Sequence, residues 1–305
     1  MPRLASEDDS QLHLGAAVEL ITDPVGWWID PFTQNEFMRD ALWAGLLAVL
    51  CTSVVGTWVV LRGMTFLGDA LAHGVLPGIA VAFVVGFSTT LGAFVAALAM
   101  VVGINVIRSH SPLPEDTSIG VLFVGFLALA VVIMSSDSGA YTGDLNRFLF
   151  GSVTGVDDAD LARQGVVAAF TLAGVALFYR PFLVMTFDET MARLLGLRPR
   201  LAHVVLLVLV AGAIVASFEA VGSLLVFAFL VAPPAAAALL VRRVPLIMAV
   251  AVLLGSGAAV VGLLVSYHHD TAAGATMALC SVIVFLVVLT ARALTRTVRG
   301  EVAAA

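Results

Sequence analysis

Nine stretches of the chain run almost without a polar side chain, at about 41–61, 66–87, 90–107, 118–136, 161–180, 202–217, 220–241, 245–266 and 272–291. Each comes close to the roughly 17–25 residues that a helix needs to cross a bilayer. Eight or nine crossings follow, the ambiguity lying at 202–241, where only Ser217, Phe218 and Glu219 separate two runs and no polar loop marks a turn. A transmembrane β-barrel alternates apolar and polar residues in short segments. Long unbroken runs instead predict helices, which satisfy their own backbone groups inside hydrocarbon. The expectation is an all-α polytopic transmembrane bundle over 39–296, preceded by an acidic extension at 1–38 and followed by a short tail at 297–305. The segment 146–152, NRFLFGS, is too short to cross and fits a short external or re-entrant helix.

Composition agrees with lipid as the medium: 61% of residues are hydrophobic and 12% charged, with a mean hydropathy of +1.07, whereas soluble domains carry about 25% charged residues. The fifteen basic residues are all Arg. Without a Lys the chain has no G-x-x-x-x-G-K-[ST] loop to cradle nucleotide phosphates, so it does not hydrolyse ATP in that way. A net charge of −6 leaves no footprint for nucleic acid. The polar, acidic start lacks the basic and apolar regions of a secretory signal, while Trp27, Trp28 and Phe32 suit either a membrane interface or a tail beside the first span. Cys51 and Cys280 lie in separate apolar runs and read as small buried hydrophobes.

Cytoplasmic loops hold an excess of positive charge. One alternating topology puts Arg62, Arg108, Arg180, Arg193, Arg198, Arg200, Arg242, Arg243, Arg292, Arg296 and Arg299 on one side, which is then the cytoplasm. The same topology places 137–160 and the His268-His269-Asp270 loop outside, with the N-terminus outside for nine crossings and inside if one segment is re-entrant.

Ionisable groups inside spans are costly and commonly face a cavity or a partner. Asp69 and His73 stand four residues apart, which on a helix stacks them on one face. A carboxylate and an imidazole so placed can hold a divalent ion, or can form an internal hydrogen bond that only fixes packing. Glu219, flanked by apolar residues on both sides, needs a partner, a proton, water or an ion, unless it sits in a solvated loop. At 187–198 a short amphipathic helix is expected, with Asp188 or Thr190 as its cap and Gly196 at its end. Its Met191, Leu194, Leu195 and Leu197 suit docking to a soluble partner or rest on the bilayer surface. His268, His269 and Asp270 are possible external metal contacts or plain loop residues, and His13, His110 and His203 read as loop or interfacial. No H-E-x-x-H or G-x-S-x-G constellation occurs, so catalysis is the weaker class.

The stretch 59–78, VVLRGMTFLGDALAHGVLPG, resembles the first signature of the ABC-3 family of zinc and manganese permeases almost throughout. EDTSIG at 115–120, LFGS at 149–152, DETMARLLGL at 188–197, EAVGSLL at 219–225 leading to PPAA at 233–236, and 262–274 resemble its further signatures in the family's order. The resemblance implies an all-helical, type II-like ABC importer permease in the bacterial cytoplasmic membrane. It further implies a homodimer, a cytoplasmic ATPase dimer that uses the ATP, an extracytoplasmic metal-binding protein, and Zn2+ or Mn2+ as cargo with no tightly bound cofactor. Asp69 and His73 match the family's metal-pathway motif, and Glu219 stands where many members carry Gln. The segment holding Asp188, Glu189, Met191, Arg193, Leu194, Leu195 and Gly196 matches its coupling segment. On the residues alone, a proton-coupled secondary transporter using Asp69 and Glu219 is the alternative.

Overall fold

The computed structural model describes residues 24–112, 114–135 and 156–304. The predicted element at 146–152 lies outside the described residues, as does His13. Thirteen helices make up the described chain: α1 (Pro24–Gln34), α2 (Glu36–Leu61), α3 (Phe66–Gly74), α4 (Leu76–Val85), α5 (Thr89–His110), α6 (Glu115–Ser135), α7 (Asp158–Leu177), α8 (Tyr179–Phe187), α9 (Glu189–Leu194), α10 (Pro199–Val221), α11 (Ser223–Leu240), α12 (Val244–His269) and α13 (Ala273–Ala304). Among the described residues nine segments are long and apolar enough to cross a membrane, α3 and α4 together forming one of them.

The centre of the bundle is α2, which is apolar all round and buried from Met38 to Val59 against α7, α10, α11 and α12. Two of its buried hydroxyls are satisfied within the helix: Thr52 donates to the Ala48 carbonyl at 2.6 Å and Thr57 to that of Ser53 at 2.9 Å. The helices α6, α7 and α13 lie at the periphery, with Val121, Val132, Val166, Phe170 and Val287 exposed, as lipid-facing positions are.

Small residues let backbones meet where spans cross. A Cβ added to Gly78 of α4 would overlap the Gly92 carbonyl of α5, and one on Gly92 would overlap the Gly78 carbonyl. Between α2 and α11, a Cβ on Gly56 would overlap the Leu230 carbonyl. That contact lies beside Pro233 and Pro234, which have no N–H to give to the carbonyls of Phe229 and Leu230. Ser53 of α2 donates to the Phe229 carbonyl at 3.3 Å and so replaces the missing rung. Ser53→Ala is expected to cost about 1–3 kcal/mol, because it strips a buried carbonyl of its partner. Thermal unfolding of the purified protein measures this, and an unchanged midpoint would refute the compensating role.

The turns at 62–65, 111–114, 195–198 and 241–243 share one side of the bundle and hold the Arg-rich span ends, so the positive-inside rule assigns that side to the cytoplasm. On the opposite side α1 packs on the end of α12: Trp27 stacks on His268 at 4.5 Å and 8°, and Asn35 donates to the Tyr267 hydroxyl at 3.2 Å. The described N-terminal helix is therefore external, the outcome expected for nine crossings. Residues 24–34 of the expected extension are a packed helix and the first span begins at Glu36, while α13 continues through the expected tail to Ala304.

Two expectations need correction. The break between the sixth and seventh spans is Gly222 alone, at φ +79°, and Ser217 and Phe218 are buried in α10 instead of interrupting it. A left-handed glycine reverses the chain without a polar loop, so hydropathy carries no mark of it. His203 is also no loop residue: it is 1% exposed within α10, and its Nδ1 accepts from Arg62 Nη1 at 3.0 Å. Of the cysteines, Cys51 is buried and Cys280 half-buried.

Candidate functional site

The helix carrying Asp69 and His73 is shaped by its neighbours. Leu67, Ala70, Leu71 and Ala72 are buried, Gly68 fits against Phe227 and Leu230 of α11, and Gly74 against Met100 of α5. The other face carries Phe66, Asp69 and His73 at spacings of three and four residues. The helix halts just past His73 because Pro77 cannot donate to the His73 carbonyl four residues back, and α4 restarts with that proline in its first turn.

His73 Nε2 lies 3.5 Å from Asp69 Oδ1, longer than the 2.7–3.2 Å of a formed N–H···O bond. The two side chains are 25% and 32% exposed. They are thus neither sealed in the core nor bound tightly to each other. His73 lies seven positions beyond the start of α3 and Asp69 three, which places them about 10 Å and about 5 Å along the span from its cytoplasmic end. Over the imidazole stands Phe123 of α6, ring to ring at 5.9 Å and 61°, and Phe123 also meets Phe66 at 5.5 Å. Sequence reasoning missed Phe123, since one Phe inside an apolar run has no distinguishing signal.

One helical face, then, offers one carboxylate and one imidazole to a cation. Among the described residues no cluster of three or more His, Cys, Asp or Glu forms a fuller ligand set. The backbone of Glu219 belongs to the last turn of α10; the expectation that its side chain binds metal lies outside what is described. The external residues are not brought to the pair. His268 is occupied at the other surface, where its Nε2 donates to the Trp27 carbonyl at 3.3 Å beside a pocket of about 270 Å³ lined by Trp27, Asp30, Gln34 and Tyr267. Asp270 is exposed and caps α12 at φ +50°.

On the cytoplasmic side α9 is one short helix. The Asp188 side chain accepts from the Met191 N–H at 2.9 Å, so Asp188 and not Thr190 is the cap, and Gly196 ends the segment at φ +70°. Ala192 is buried, while Met191, Leu194 and Leu195 are 47%, 79% and 53% exposed. Glu189 accepts from Arg193 at 2.7 Å and from Arg108 at 3.3 Å. The Arg193 hydrogen bond, with the charges of Arg108, Arg193 and Arg62 behind it, holds the Glu189 carboxyl below its usual range. A carboxyl so lowered contributes stability above its ordinary range and loses it only as pH falls through the lowered value.

Comparison with known proteins bears on the whole of this arrangement. Residues 34–292 match the model of the ABC 3 transport family. The chain is 34% identical over 260 residues to the manganese transport system membrane protein MntC of Listeria monocytogenes, covering 85% of this chain and 92% of that protein. It is 32% identical over 263 residues to a probable iron transport system membrane protein of Haemophilus influenzae, covering 86% and 96%. The solved structure of PsaBC from Streptococcus pneumoniae in complex with Fab superposes with a TM-score of 0.76 at 31% identity, over 86% of this chain and 94% of that one. The family model spans eight crossing segments whole and most of the ninth, with both the Asp69–His73 helix and the Glu189 segment, and the chain belongs to the ABC 3 transport family.

Proposed function

We propose that this chain is the membrane-spanning permease subunit of an ATP-driven importer that moves a divalent transition metal into the cytoplasm, with manganese as the first candidate cargo. The observation that carries the reading is the Asp69–His73 pair: two metal-ligating side chains inside a span, 3.5 Å apart and accessible, in a chain of this family. A mixed oxygen and nitrogen donor set suits manganese or iron as well as zinc, and manganese and iron are the metals named for its relatives. Two protein ligands bind loosely, which transport requires, whereas a closed four-thiolate site would trap the ion. Further ligands come from water, from a second copy facing the first, and from Glu219.

The remaining parts follow from the same reading. The chain has no Lys and so no phosphate-cradling loop, and ATP hydrolysis falls to a cytoplasmic partner that docks on the apolar face of α9. An extracytoplasmic protein delivers the ion at the outer surface, where His268, His269 and Asp270 lie, in a bacterial plasma membrane. Closure of the ATPase pair shifts α9, tilts the spans and exposes the pair to the cytoplasm.

Metal uptake into proteoliposomes containing this chain, its ATPase and its binding protein tests the proposal. The expected result is Mn2+ accumulation that needs all three proteins and ATP. Uptake by the chain alone, driven by a proton gradient, would replace this reading with the secondary transporter, and uptake of Zn2+ in place of Mn2+ would change the cargo only.

A further inference from the structure

The exposed side chains of α9 are apolar, but its charged ones turn back onto the permease. Glu189 divides its two carboxylate oxygens between two helices: Oε1 accepts from Arg193 one turn along α9 itself, and Oε2 accepts from Arg108 at the cytoplasmic end of α5. The Glu189 and Arg108 side chains are about one-third exposed, at 35% and 30%, so the bridge is shielded from solvent on most of its surface. It links segments 81 residues apart in the chain.

From Arg108 a continuous set of close contacts runs to the metal pair. Met100, two turns back along α5, presses its Sδ on Gly74, the residue next to His73. Further along, the backbones of Gly92 in α5 and Gly78 in α4 touch with no side chain between them. The backbone contact of Gly78 with Gly92 leaves little room for α4 to shift without α5, and Met100 holds the Gly74 end of the His73 helix against the same α5. Movement of α5 therefore reaches the helix that holds His73.

We propose that Glu189 is a positioning residue for transport: through Arg108 it ties the short α9 to α5 and so to the Asp69–His73 helix, while Met191, Leu194 and Leu195 meet the ATPase. The inference rests on the permease reading and divides the residues of α9 into two jobs. Glu189 and Arg193, which the sequence suggested as contacts to the ATPase, serve inside the permease.

The test uses the complete transporter in proteoliposomes, with Mn2+ uptake and ATP hydrolysis measured side by side. In Glu189→Gln the ATPase subunit is expected to stay bound and to hydrolyse ATP, with Mn2+ moved per ATP falling about tenfold, within the usual span of coupling energies. The exchange Glu189→Arg with Arg108→Glu restores the bridge between helices but not the pair within α9, and is expected to regain most of the lost uptake. Leu194→Asp, by contrast, is expected to release the ATPase subunit itself. Uptake per ATP at the wild-type level in Glu189→Gln, or an exchange variant no better than Glu189→Gln, would overturn the proposal. So would loss of the ATPase from Glu189→Gln, which would make Glu189 part of the docking face, or failure of both variants to insert, which would make the bridge structural only. Absence of ATP-driven uptake by the wild-type complex would overturn the permease reading itself.

Discussion

Asp69→Asn and His73→Ala are each expected to lower ATP-dependent Mn2+ uptake by about 10- to 100-fold or more, the range seen when even an outer partner of a metal ligand is removed. Asp69→Asn keeps the shape of the side chain and deletes its charge. The packing face of α3, made by Leu67, Gly68, Leu71 and Gly74, is untouched by either change. Folding and assembly with the ATPase should therefore survive, and the loss should appear in uptake and in apparent metal affinity. If the pair were only an internal hydrogen bond, Asp69→Asn would retain most of the activity, because an amide still meets the imidazole. The 3.5 Å separation argues against that role. Wild-type uptake in both variants would remove the pair from the pathway and leave the family assignment standing.

Gly56→Val should produce the largest loss of stability. The clash is with the Leu230 backbone carbonyl, so no side-chain rotation relieves it, and α2 and α11 must separate at the centre of the bundle. Overpacking of this kind costs about 3 kcal/mol or more, which lowers the unfolding midpoint by on the order of 10 °C in a chain of this size. Gly257 of α12 supplies the control. A Cβ there meets nothing within 4 Å, and Gly257→Ala is expected to leave the midpoint unchanged or slightly higher, since it restricts the unfolded chain. Thermal unfolding of the detergent-purified proteins separates the two outcomes. A Gly56→Val protein as stable as the wild type would mean that the α2–α11 crossing is looser than described.

Much of the architecture is legible in the sequence because lipid imposes a simple rule: every backbone group is satisfied within its segment, so spans announce themselves as long apolar runs. The Arg residues likewise reveal the sidedness, and Trp27 of α1 meets His268 at the other surface. The joints were harder to read. Gly222 reverses the chain without polarity, whereas the polar Ser217, which looked like a boundary, is buried in the helix. Single ionisable residues were ambiguous for a related reason. Asp69 and His73 could be paired from their spacing alone, since four residues is one helical turn. The partner of His203 is Arg62, 141 positions away, and that of His268 is Trp27, 241 positions away. No local pattern encodes such distances. The cap at Asp188 was narrowed to two candidates by composition, and only backbone geometry chose between them.

The two adjacent prolines of α11 have a mechanical consequence. An uninterrupted helix resists bending because curvature stretches its ladder of hydrogen bonds on one side. At Pro233 and Pro234 two rungs are already forgone, and one of the vacated carbonyls leans on a hydroxyl from the neighbouring α2. Curvature at that level has two fewer main-chain bonds to stretch, so α11 has a compliant point in an otherwise stiff rod, located where it touches the central helix of the bundle.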